Sequence, residues 1–333
     1  MTALRAATPA SLPVVDVAAL AGPDRDARRR VAREIRRIYE TLGFLYIAGH
    51  GVPQARIDAV FAASREFHAL PPEAKARLKI NAAHRGYMGI ATSTIVTSSV
   101  AKVTKPNMSE SLMVMHELAP DDPDLLAGKP LQGPNQWPPE LPAFRATVLA
   151  YVADLGALAR RLTEAVALAF DLDEGWFAPH FRRPTTWLRL LHYPPLPDPL
   201  PPELYGAAPH TDYGFLTILA QDATGGLEVR ARDGGWIPAP PLPGTFVVNV
   251  ADMLMRWSNG ILLSTPHRVR NVSGRDRYSV PFFYDPGMDT VCAALPGTVT
   301  PGDAPRWPPV RFGDYVMERL DKNYAYRQGA TAG

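Results

Sequence analysis

From about residue 184 to residue 285 the chain is cut into short apolar runs by Gly, Pro and Asp, and this texture restricts the fold more than any other feature. The runs are "TTWLRLLHYPP", "GFLTILAQD", "GGLEVRARDGGWIPAPP", "GTFVVNVADML", "STPHRVRN" and "RYSVPFFYDP", and they recur at intervals of roughly 10 to 20 residues. Regular short strands with turn signals predict a sandwich or barrel. Proline usage agrees. It supplies 35 of 333 residues, about twice the ordinary share of roughly 5%, and a chain broken that often suits a β-rich body with long loops.

The first third is mixed α/β. "LPVVDVAAL" (12–20) reads as a short buried strand. The next segment, "DRDARRRVAREIRRIYETLG", sets Val31, Ile35, Ile38, Tyr39 and Leu42 at helical spacing and closes on Gly43 as a C-terminal cap. "FLYIAGHG" reads as a second strand ending in a glycine turn, and "QARIDAVFAASREFHALPPEAKARL" as helix on both sides of Pro71 and Pro72. Residues 86–118, rich in Ser, Thr and β-branched side chains, suit irregular strands and a loop. A Pro-rich connector (130–142) precedes "AFRATVLAYVADLGALARRLTEAVALAFDL", the longest helical pattern, expected to be a scaffold helix packed on a sheet. The tail "RFGDYVMERLDKNYAYR" returns to helix, either as packing or as a lid over a pocket mouth. The expected organisation is one compact, mainly β unit with flanking helices. It comprises an N-terminal α/β region (1–120), a connector and scaffold helix (121–183), a β core (184–311), and a C-terminal helix and tail (312–333).

Charge narrows the partners. Lys and Arg total 35 against 33 Asp and Glu, a formal net charge of +2, with none of the clustered cations that binding to nucleic acid or an anionic membrane requires. The most basic stretch, "RDARRRVAREIRR" (25–37), has acids interspersed at helical spacing and reads as a solvated helix face. Cys292 is the single cysteine, which rules out an intramolecular disulfide and thiolate metal clusters. "MTALRAATPASLPVVD" lacks a signal peptide's apolar core, and no stretch approaches the ~18 apolar residues of a membrane span. The expectation is a soluble cytoplasmic protein, a monomer or weak homodimer with a small-molecule substrate and no nucleic-acid or membrane partner.

Chemistry concentrates in "PHTDYGFLTIL". In a strand, alternate side chains share a face, so His210 and Asp212 can reach one ion. A third ligand is needed, and of the other seven histidines only His267 lies later, 267 − 212 = 55 residues on. That distance allows a remote strand to return beside the first. Two imidazoles and a carboxylate form the facial triad of non-haem Fe(II) oxygenases, with open positions opposite. Zinc accepts the same donors, so ligand types alone leave the metal open. In "RYS", Arg277 and Ser279 share a strand face. An inward arginine is costly unless it meets an anion, and its planar fork fits a carboxylate. The pair therefore suits the far carboxylate of a dicarboxylic acid whose other end chelates the metal, or else Arg277 closes a structural ion pair. His50 is expected in a structural turn and His192 as a sheet residue, with His68, His84, His116 and His180 as packing or surface residues. Trp257 belongs to the core or a pocket wall.

Taken in order, "LPVVD", "GFLYIAGHGV", "LRLLHYPP", "PHTDYGFLTIL", "GGLEVRARDGGWIPAPPLPGTFVVNVADMLMRWSNG", "STPHRVRN" and "RYSVPFF" resemble the 2-oxoglutarate and iron-dependent dioxygenase superfamily, in its isopenicillin N synthase-like branch, from near residue 12 to about 320. The resemblance implies a double-stranded β-helix (jelly-roll) with Fe(II) on the catalytic residues His210, Asp212 and His267. It gives Arg277 and Ser279 the distal carboxylate of the cosubstrate 2-oxoglutarate, with Tyr193 of "YPP" hydrogen-bonding the cosubstrate. Phe283 corresponds to a pocket-wall aromatic, and Phe215 and Tyr87 join it as candidate substrate contacts. One departure stands out: the family has asparagine where this chain has Leu191 and tyrosine where it has His192, which removes a polar contact near the cosubstrate. The implied activity is hydroxylation or desaturation of a small organic molecule using O2, with release of succinate and CO2. The alternatives are an isopenicillin N synthase-like oxidase that uses no 2-oxoglutarate, ethylene-forming-type breakdown of 2-oxoglutarate, and a non-catalytic small-molecule receptor on the same fold.

Overall fold

A computed structural model describes residues 11–328. The described chain opens with β1 (Val14–Asp16), crosses through α1 (Arg25–Thr41) and returns as β2 (Phe44–Ala48), parallel to β1. Asp24 starts the helix by accepting the backbone N–H groups of Asp26 and Ala27. Ala32, Ile35 and Tyr39 form the buried stripe. Gly43 ends the connection at φ +73°, where a Cβ would lie 2.1 Å from the Leu263 carbonyl oxygen, so both backbone conformation and space demand glycine. The segment 12–20 holds only three strand residues, because the chain turns into a short 3-10 helix at Ala18–Ala21.

α2 (Gln54–His68) and α3 (Pro72–Ala76) flank the proline pair as the sequence predicts. The stretch 86–118 resolves into β3 (Gly86–Met88), a long loop and β4 (Glu110–Met115). After α4 (Pro123–Leu126), α5 (Phe144–Ala169) is the longest helix, and its buried residues include Val148, Tyr151, Leu155, Leu162 and Val166. It packs against α1 and α2 and on the sheet.

The β core contains β5 (Thr185–Tyr193), β6 (Ala207–His210), β7 (Leu216–Gln221), β8 (Leu227–Arg230), β9 (Trp236–Pro238), β10 (Phe246–Val250), β11 (His267–Val269) and β12 (Arg277–Asp285). One expectation fails locally. "ADML" does not extend β10, because the chain turns at Ala251 into α6 (Asp252–Trp257), which buries Met253, Leu254 and Trp257. β13 (Val291–Cys292) and β14 (Val310–Arg311) form a small ribbon ahead of α7 (Phe312–Asn323) and α8 (Ala325–Gln328).

Two sheets face each other in a jelly-roll. The large one runs β1-β2-β10-β7-β12-β5-β4-β3 and the small one β6-β11-β8-β9. Alternation along β2, β5 and β10 of the large sheet feeds two separate cores. Leu45, Ile47, Leu188, Leu190 and Val248 point to the helices, while Phe44, Tyr46, Leu191, Tyr193 and Val247 point to the small sheet. That double burial explains why β2 and β10 are nearly continuous apolar runs. The inner space between the sheets is where the polar candidates of the sequence converge. Among the described residues, no helix is long and apolar enough to cross a membrane.

Candidate active site

His210 ends β6 and His267 begins β11, and the two are direct partners in the ladder. Their rings stand 4.3 Å apart. Asp212 is not on the strand, as simple alternation expected. It lies in the turn after β6 and is carried back to the histidines by backbone contacts. Its carbonyl oxygen accepts the Asp252 N–H at 2.8 Å, and the Gly214 carbonyl oxygen accepts the Met253 N–H at 2.8 Å. Gly214 lies so close to Asp285 that a Cβ would fall 1.6 Å from the Asp285 Oδ1, and that same oxygen accepts the Phe215 N–H at 2.7 Å. Burial raises the Asp285 pKa to about 7.

The donor atoms are oriented before any ion arrives. His210 Nδ1 meets the Ala208 carbonyl oxygen at 2.8 Å and His267 Nδ1 meets that of Thr265 at 3.3 Å. Each Nδ1 therefore carries the hydrogen, and each Nε2 keeps its lone pair for a metal. Those Nε2 atoms lie 3.8 Å and 3.7 Å from Asp212 Oδ1. The other oxygen, Oδ2, accepts from Thr217 Oγ1 at 2.6 Å and Asn249 Nδ2 at 2.8 Å, leaving Oδ1 free. One donor atom from each residue lies within 4.8 Å of the others. Burial opposes the Asp212 charge, but the two imidazoles and these hydrogen bonds hold its pKa below the usual range. Burial, helped by His267, lowers the His210 pKa to about 4, which keeps it in the neutral, ligating form. The set fits a divalent ion with positions left open on the cavity side.

β5 and β12 form the cavity floor. Their register sets Arg277 opposite Tyr193, Ser279 opposite Leu191 and Phe283 opposite Trp187. Arg277 is fully buried, with its guanidinium 4.8 Å from the centre of the Tyr193 ring. Nη2 donates to Gln221 Oε1 at 3.1 Å, whereas Nε and Nη1 have no hydrogen-bond partner. Among the described residues no carboxylate pairs with it, so the structural ion pair considered from the sequence is absent. A buried cation with orphaned donors is costly and forms a ready seat for an anion. Leu191, opposite Ser279, makes that part of the floor apolar. His192 points to the other side of β5, between Glu110 (2.8 Å) and Asp276 (3.0 Å).

Beyond the histidines the cavity opens into a second chamber lined by Trp187, Arg189, Phe283, Tyr213, Asn323 and Tyr324, with Ser93 to Ile95 of the β3–β4 loop. Arg189 and Phe283 belong to both chambers. Arg189 Nε donates to Ser111 Oγ at 2.9 Å, and no carboxylate among the described residues pairs with its guanidinium. Two candidate wall residues lie elsewhere. Phe215 is wholly buried on the helix side against Phe177, Phe181 and Trp257, because it lies in the turn ahead of β7, outside the alternation that sends Thr217 and Leu219 into the cavity. Tyr87, near the sheet's edge, gives its hydroxyl to Glu110 and its ring edge to Phe67. Sequence reasoning missed Thr217, Asn249, Gln221, Arg189 and Trp187. The available signal was polarity inside apolar strands, such as the lone Asn of "FVVNV". His84, read as a packing residue, is buried between Trp187 and Tyr324 at the chamber wall. His50 accepts the Val52 N–H within its turn.

Comparison with known proteins agrees with this geometry. The family model for the 2OG-Fe(II) oxygenase superfamily matches residues 184–286, and that for the non-haem dioxygenase in morphine synthesis N-terminal region matches residues 12–140. The 2-oxoglutarate-Fe(II) type oxidoreductase hxnY of Emericella nidulans is 35% identical over 324 residues, covering 95% of this chain and 91% of that protein. A Neurospora crassa protein, solved at full length in complex with alpha-KG and thymine, superposes with a TM-score of 0.82 at 29% identity, covering 93% of this chain and 96% of that one. JOX2, solved with 2OG, Fe and JA, gives a TM-score of 0.75 at 27% identity, covering 96% and 90%.

Proposed function

Given that this chain belongs to the 2-oxoglutarate and Fe(II)-dependent oxygenase superfamily, we propose that His210, Asp212 and His267 hold its ferrous ion, that Arg277 and Ser279 hold the distal carboxylate of 2-oxoglutarate, and that Tyr193 hydrogen-bonds the cosubstrate. The protein is an oxidoreductase that uses Fe(II), 2-oxoglutarate and O2 to oxidise a small organic molecule. When bound, iron and cosubstrate supply the oxidising chemistry, with succinate and CO2 as coproducts. The residues supply placement. His210 and His267 present their Nε2 atoms, Asp212 presents one oxygen while Thr217 and Asn249 occupy the other, and Arg277 offers a buried charge at a fixed position on the floor. With Leu191 in place of a polar neighbour, anchoring of the cosubstrate rests on Arg277.

The observation that carries the cosubstrate assignment is the uncompensated guanidinium of Arg277. Calorimetric titration of the Mn(II)-loaded protein with 2-oxoglutarate tests it. The expected result is one specific site per chain, lost in Arg277→Leu. Absence of uptake by the native protein would favour the oxidase that works without cosubstrate.

For the substrate, the second chamber supports a compact molecule with an apolar body against Trp187 and Phe283 and a carbonyl or carboxylate edge against Arg189. The Neurospora crassa protein and JOX2 were solved with thymine and JA. Succinate release across a panel of small carboxylic acids, oxo-pyrimidines, amines and neutral hydrocarbons is the test, and stimulation only by the last two groups would overturn this reading. A monomer or weak homodimer acting in the cytoplasm is the accompanying proposal, checked by size-exclusion chromatography and cell fractionation.

A further inference from the structure

Arg277 depends on a neighbour that never reaches the chamber wall. Gln221 ends β7 directly across the ladder from Ser279. Its carboxamide nitrogen donates to the Ala239 carbonyl oxygen at 3.2 Å, which turns its oxygen toward Arg277 Nη2, 3.1 Å away. The next residue grips the same segment by its backbone. Asp222 Oδ2 accepts the Tyr278 N–H at 2.6 Å, and the Asp222 N–H donates to the Tyr278 carbonyl oxygen at 3.2 Å. The end of β7 thus holds both the main chain between Arg277 and Ser279 and the tip of the arginine.

The choice of an amide has an electrostatic meaning. A neutral oxygen accepts one guanidinium hydrogen bond and fixes its direction without cancelling its charge. A carboxylate at the same place would pair with the arginine and leave nothing for an incoming diacid, because the attraction between buried charges is strong and one cation then serves two anions. Resting on the assignment of Arg277 to the distal carboxylate, we propose that Gln221 is the positioning residue that aims Arg277 while keeping its charge uncompensated, and so sets the preference for a dicarboxylic 2-oxo acid over a monocarboxylic one.

The test compares 2-oxoglutarate with 2-oxovalerate, which has the same carbon chain and lacks the distal carboxylate, by titration calorimetry on the Mn(II)-loaded protein. Gln221→Glu is expected to weaken 2-oxoglutarate by at least about tenfold, as loss of one charge-assisted interaction implies, while 2-oxovalerate is unchanged. Gln221→Met removes the acceptor without adding charge and is expected to lower the same preference by a smaller factor. A general loss of structure would weaken both ligands together, so the ratio separates aiming from folding. Native preference retained in Gln221→Glu overturns the proposal, and if that variant does not fold, native preference in Gln221→Met overturns it. Arg277→Leu keeps the two readings apart: if it leaves the preference intact, the assignment of Arg277 itself fails, whereas preference lost there but kept in both Gln221 variants defeats only the role of Gln221.

Discussion

Asp212 uses its two carboxylate oxygens differently, and the difference is testable. Oδ2 is taken by Thr217 and Asn249, so Oδ1 alone faces the histidines. Replacing Asn249 by Leu is expected to weaken Fe(II) or Mn(II) binding by roughly 10–100-fold, the usual range for losing an outer partner of a ligand, as read by metal titration with the fold intact by circular dichroism. Asp212→Ala is expected to abolish substrate-dependent succinate release altogether. The three candidate ligands were legible because motif and spacing isolate them. Their supports were not, because a threonine or asparagine within an apolar strand has no partner until the sheet is assembled. The position of Asp212 was misread for a related reason: β6 contributes only four residues, and the turn after it, pinned by Asp252 and Asp285, does what strand alternation was expected to do.

β5 carries two chemistries on its two faces. Tyr193, Leu191 and Arg189 look into the cavity, while His192 looks outward to a buried cluster in which Glu110 also meets Lys75 at 2.8 Å and the Tyr87 hydroxyl. Burial works against ionisation of Glu110, yet its hydrogen bonds from His192, Lys75 and Tyr87 bring its pKa down to about 2. Burial likewise opposes the charged form of His192, but Glu110 and Asp276 outweigh it and raise its pKa. A histidine whose folded pKa is raised takes up a proton on folding. Its contribution is complete below its unfolded pKa of about 6.5 and fades as pH climbs through the folded value. His192→Gln is therefore expected to cost roughly 1.5–3 kcal/mol near pH 6, typical of a charged hydrogen bond, and clearly less near pH 9, by denaturant melts at both values. At the cavity mouth, Asn323 of α7 accepts the Val96 N–H at 2.9 Å and donates to Thr97 Oγ1 at 2.9 Å and the Tyr213 hydroxyl at 2.6 Å. Asn323→Ala is expected to speed amide exchange in residues 94–100 and leave β5 and β12 unchanged, and equal exchange in that loop would contradict the tether. Helices and long strands were legible from periodicity and from Gly and Pro punctuation. α6 was too short for a period to declare itself, and "ADMLMRW" is apolar in a way that serves strand or helix equally.

At the scale of the whole molecule, residues 11–120 are not an appendage. β1 and β2 extend one side of the eight-stranded sheet and β3 and β4 the other, with β5, β7, β10 and β12 between them. The N-terminal strands and the floor of the cavity are therefore expected to unfold together, as a single calorimetric transition, and a separate early transition would count against that. Saturation with Mn(II) and 2-oxoglutarate should move the transition upward, by about 2.7 kcal/mol when the ligand stands at 100 times its dissociation constant. The register of β5 against β12 has one more implication. Ser279 and Phe283 stand on the same strand face four positions apart, or about 13 Å at an ordinary rise of about 3.3 Å per residue. The strand acts as a ruler: the anchor end can stay as it is while substitutions at the far end retune which molecules are accepted, and a single-residue insertion between the two marks would throw every later reading onto the opposite side of the sheet.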